Sequence, residues 1–101
     1  MSKNGKSEKM VLGMAWYRAD HWDELLAVST DADDLEATHE EWLANAEPKY
    51  NELLAQGLKI EKVPVDVTEL AQWCQSEGLA VDGRSRAQFA SHKIRTKYEG
   101  E

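Results

Sequence analysis

Cys74 and His92 are the pair in this 101-residue sequence whose side chains could support nucleophilic catalysis. A thiolate is a strong nucleophile, and an imidazole within reach could take its proton. Cys74 sits beside Trp73 and four residues after Leu70, on the apolar side of a helical pattern, where an inert buried thiol is the expected outcome. No Gly-rich phosphate loop, nucleophile elbow or distinct carboxylate pair accompanies it. The expectation is therefore no catalytic residue, with a Cys74–His92 enzyme as the minority reading.

Metal chemistry has no better support. Asp31, Asp33 and Asp34 begin like a calcium loop. Counting from Asp31, though, position five is Leu35, position six is Glu36 where glycine is needed, and position twelve is Trp42. His39-Glu40 opens like a zinc-protease helix, but the residue four after His39 is Leu43, so no second histidine shares that face. His21, His39 and His92 show no ligand spacing. No metal and no cofactor are expected.

The remaining constellation is basic. Arg84, Arg86, Lys93 and Arg95 are candidate anion- or partner-binding residues on the last helical segment. With the preceding segment and the Gly78-Leu79 turn, residues 68–95 have the outline of a helix-turn-helix. Cys74 fits the small buried position of its first helix. Arg84 falls where its second helix should bury an aliphatic residue, and does not fit. The basic block is also local: residues 83–97 carry net +5, whereas residues 20–54 carry net −10, and the whole chain −7. An acidic surface repels nucleic acid at long range. A basic helix answering the chain's own acidic segments is the simpler reading.

The elements that would position these residues follow from periodicity and caps. Thr38 with Glu41 is a capping-box signature. From there Trp42, Leu43, Ala46, Tyr50, Leu53 and Leu54 recur at helical spacing until Gly57, a stop residue after which Leu58 can pack back. Pro48 falls inside this helix, where it removes a hydrogen bond; the stripe stays in phase, so a kink rather than a break is expected. Met10 to Tyr17 reads as a strand apolar on both faces. Leu12, Met14 and Trp16 face one side and Val11, Gly13, Ala15 and Tyr17 the other, with Gly13 marking a bulge or a close backbone approach.

Asp20 reads as the cap of a helix through Trp22, Leu25 and Leu26 to about Ser29. The acidic stretch after it reads as a connection with one helical turn near Leu35. Leu58 to Val65 is the second strand, with a change of phase that suggests a bulge near Glu61–Lys62 and an edge at Pro64. Asp66 with Glu69 opens a helix through Leu70, Trp73 and Cys74 that Gly78 ends. Ser85 with Gln88 is expected to cap a final helix through Phe89, Ala90 and Ile94.

The expected fold is an α+β domain over residues 10–96: a small two-stranded sheet packed with about four helices, in the order β-α-α-β-α-α. Residues 1–9 and 97–101 are read as tails. No apolar run is long enough for a membrane span, the first nine residues lack the apolar core of a signal peptide, and a single cysteine fits a cytoplasmic protein. A two-stranded sheet is marginal alone, so two copies joining their sheets, or packing through the four tryptophans, would supply cover. The functional expectation is a non-enzymatic protein-interaction domain forming a homodimer, bound to no membrane. The alternative is nucleic-acid binding through residues 68–95.

Overall fold

In a computed structural model residues 11–99 are described, so the expected tail over 1–9, together with Met10 and residues 100–101, lies outside the described residues. Strand β1 (Leu12–Trp16) is followed by helices α1 (Trp22–Val28) and α2 (His39–Ala55), strand β2 (Ile60–Pro64), and helices α3 (Val67–Glu77) and α4 (Gly83–Glu99). The chain is an α+β domain with a two-stranded sheet and the expected β-α-α-β-α-α order. Short 3-10 turns, Ala19–His21 and Ala32–Asp34, flank α1.

The caps explain most boundaries. Thr38 accepts a hydrogen bond from the Glu41 amide and Asp66 accepts one from the Glu69 amide, both at 3.1 Å. Two starts differ from expectation. Asp20 pairs with Arg18 and sits inside the 3-10 turn, so α1 begins after His21 with no side-chain cap. The last helix begins two residues before Ser85, because Asp82 caps it: the Ser85 amide donates to Asp82 at 3.0 Å and the Asp82 amide donates to Ser85 Oγ at 2.9 Å. At the far end α4 continues past Thr96 to Glu99, with Lys97 and Tyr98 bonded to Glu61.

Gly57 and Gly78 take φ of +88° and +71° and end α2 and α3 as expected. Leu58 and Leu79 donate their amides back to Leu53 and Cys74 carbonyls, yet both side chains remain exposed. Pro48 lies within α2, which runs through it without a break.

The two strands are parallel, joined by the α1–α2 crossover, and pair one to one from Leu12↔Ile60 to Trp16↔Pro64. No bulge interrupts β2. Its change of phase has another cause: Ile60 is buried on the α2 side of the sheet and Val63 on the α4 side, so each face contributes apolar residues.

α4 lies against the face formed by Val11, Gly13 and Ala15, where Val63, Ala90 and Ile94 form a small cluster. Gly13 marks the close approach. A Cβ there would stand 2.6 Å from Ile94 Cγ1 and 2.8 Å from the Ala90 carbonyl oxygen, closer than atoms can pack. The larger cluster lies beyond the sheet's end. It joins Tyr17, Trp22, Leu25, Val65, Val67, Leu70, Cys74, Val81 and Phe89.

Candidate functional site

The four basic residues separate once folded. Arg86 points inward, 7% exposed, with Phe89 and Ala90 on the same stripe. It donates to both oxygens of Asp31 at 2.8 Å and to Ser29 Oγ at 3.2 Å. Asp31 also accepts from the Gly83 amide, so a carboxylate expected in a plain connection anchors the start of α4. The guanidinium holds the Asp31 carboxyl below its ordinary pKa despite partial burial. Nearby Tyr17 is pushed up to about 12 by burial, an effect the positive charge of Arg86 opposes. Arg86 is therefore an interior residue, and its place three and four residues before Phe89 and Ala90 is the signal for that.

Lys93 pairs with Glu69 at 2.9 Å, and Lys97 with Glu61 at 3.0 Å. These pairs line a cleft of about 570 Å³ between β2, α3 and α4, with charges that neutralise one another. Arg84 and Arg95 are left on the outer face of α4, and neither meets an acidic partner among the described residues. They line a second groove, of about 600 Å³, with Trp73, Glu77, Leu79 and His92. The His92 ring lies tilted on Trp73, centroids 5.7 Å apart.

Cys74 is 1% exposed inside the main cluster. No hydrogen bond joins it to His92 among the described residues, and His92 lies against Trp73 and lines both the cleft and the groove. No group of three or more His, Cys, Asp or Glu side chains gathers among the described residues.

The sheet offers a different kind of surface. The Leu12 amide donates to the Lys59 carbonyl at 2.9 Å and the Val65 amide to the Trp16 carbonyl at 3.0 Å. In a parallel ladder these bonds place Leu12, Met14 and Trp16 toward β2, and turn the backbone groups of Gly13 and Ala15 outward. Ile60, Lys62 and Pro64 face outward from β2 by the same alternation.

The two outer edges are unlike. That of β2 is blunted: Pro64 has no N–H, the Ile60 carbonyl accepts from Tyr50 at 3.4 Å, and Lys62 brings a charge. The Lys62 ammonium lies 4.3 Å from the Trp16 ring centroid and 4.8 Å from that of Tyr50. β1 reads LGMAW, with neither charge nor proline, and no described residue bonds the outward groups of Gly13 and Ala15. Leu12 at its start is 46% exposed.

No family model matches the chain, and no curated protein or solved structure matches it.

Proposed function

We propose that this chain is a non-enzymatic, cytoplasmic protein-interaction domain that works as a homodimer, two copies joining their sheets along the outer edge of β1. The observation behind this reading is the asymmetry of the edges. Edge strands left unpaired are ordinarily protected by charge, proline or bulges. β2 has two of these devices and β1 has none. Antiparallel pairing of two β1 strands would let Gly13 and Ala15 of one copy exchange backbone hydrogen bonds with Ala15 and Gly13 of the other, and would turn a marginal two-stranded sheet into one of four. The non-catalytic part of the reading is supported by the burial of Cys74, since a nucleophile must be reachable.

Sedimentation velocity across a concentration series tests the dimer. A concentration-dependent dimer is expected, and Leu12→Lys, which places a charge beside the unprotected edge, should shift it toward monomer without lowering the monomer's melting temperature. A strict monomer at millimolar protein would overturn the reading. Its alternative, nucleic-acid binding by residues 68–95, would now rest on Arg84 and Arg95, and so predicts only a shallow salt dependence.

A further inference from the structure

We propose that the groove between α3 and α4 is the docking site for an acidic amphipathic helix of a partner protein, independent of the β1 edge. Charge complementarity and shape both point to such an occupant. Three of the five cations on α4 are already satisfied: Arg86 by Asp31, Lys93 by Glu69 and Lys97 by Glu61. In a chain with 19 acidic and 12 basic residues, carboxylates are in excess, yet Arg84 and Arg95 meet none among the described residues. Both border the same groove.

Arg84 and Arg95 stand eleven residues apart on one helix face, about 16 Å at 1.5 Å per residue. A helix lying antiparallel along α4 matches that separation with two of its own carboxylates, one per arginine. The groove is also lined by Trp73 and the 37% exposed Leu79, which offer apolar surface to the incoming helix, and by a single carboxylate, Glu77. Tryptophan and arginine are also the side chains on which protein–protein binding energy concentrates. Nucleic acid fits less well. It would bring a phosphate every few ångströms toward a chain of net charge −7, with Arg84 and Arg95 to receive them.

The probe is a dye-labelled amphipathic peptide of four helical turns, with glutamates eleven residues apart and leucines on the same face between them. Anisotropy titration against the full chain should show saturable binding that weakens with salt. The double variant Arg84→Glu, Arg95→Glu alters exposed residues only and should fold normally by circular dichroism; it is expected to bind at least roughly tenfold more weakly, the loss typical of hot-spot arginines. Arg84→Gln, Arg95→Gln should fall between.

The proposal is overturned if no binding is seen at millimolar protein, if the double variant binds as well as the native chain, or if the same peptide with lysines in place of glutamates binds equally. Tighter binding of a single-stranded DNA or RNA oligonucleotide would also overturn it, in favour of a polyanion site. Sedimentation of the double variant is expected to match that of the native chain. A shift of that variant toward monomer would make the groove a contact between copies and overturn the separate-partner assignment, whereas a native monomer that still binds the peptide would remove the dimer and leave the groove.

Discussion

α2 and α4 are each seventeen residues long and lie on opposite faces of the same small sheet, yet they are held by different means. α4 buries Ser85, Arg86, Phe89, Ala90 and Ile94, whereas α2 buries Ala46 alone. On the α4 side, Gly13 lets the helix backbone approach the strand, and a paired charge fills the interior. On the α2 side, contact is made through ring edges: Trp42 meets Trp16, Tyr17 and Trp22 at centroid distances of 5.1, 5.2 and 5.7 Å, and Tyr50 meets Trp16 at 5.8 Å. Large rings span a wide gap and keep the helix backbone at a distance. The lesson is that hydrophobic stripes of similar appearance can be consumed fully or only half, depending on whether the opposing strand carries a small residue or a large one.

That contrast makes graded predictions, and the largest effects belong to α4. Asp31→Ala should destabilise the fold by about 3 kcal/mol or more in urea unfolding, because it strands the guanidinium of Arg86 in the interior. A loss under about 1 kcal/mol would mean that α4 is not tied down by this pair. Protonation should act in the same direction. The folded-state pKa of Asp31 lies below its unfolded value, so its contribution is present above the unfolded pKa and is lost as pH falls through the folded one.

Tyr17 works at the opposite end of the scale. Its pKa is raised from 10 to about 12, so its contribution is complete below pH 10 and is lost as pH rises toward 12. The extra loss of stability across that window should be of order 2–3 kcal/mol, and Tyr17→Phe should abolish that part of the alkaline slope. An unchanged slope in the variant would place the alkaline sensitivity elsewhere.

Gly13→Ala should cost roughly 1–3 kcal/mol by overpacking, since one of the atoms met is backbone and cannot rotate away. A neutral result would show that α4 can shift outward. The α2 side should respond less. Thr38→Ala, which removes the cap of α2, should cost about 1 kcal/mol. Leu54→Glu should change stability by less than about 0.5 kcal/mol, as for other surface positions, its side chain being 44% exposed. A large penalty there would mean that α2 is as deeply committed as α4.

The helices and strands were legible in the sequence because their ends are written in local chemistry. Thr38, Asp66, Gly57 and Gly78 act on amides and carbonyls within a few residues of themselves, and each does what its type predicts. Of the two readings that Gly13 allowed, the close approach is the one found. Features that depend on distant partners were less visible. Asp20 resembles a cap but is drawn off by Arg18, and Ser85 resembles a cap but is the fourth and last residue of a box that Asp82 opens.

The change of phase in β2 signals a bulge only in a strand with one buried face, whereas here Ile60 and Val63 are buried on opposite faces. Arg86 shows the same limit most clearly. Grouped with its basic neighbours it looks like part of a binding face, but Asp31, fifty-five residues earlier, turns it inward and leaves Arg84 and Arg95 as the residues to explain.

The parallel pairing of the strands also dictates an order of events at the ribosome. β1 can find β2 only after the whole crossover from Tyr17 to Lys59 has been synthesised, and Gly13 receives α4 only once residues 83–99 have followed. At about 5–20 residues per second, an uncharged strand waits some seconds with both sides bare.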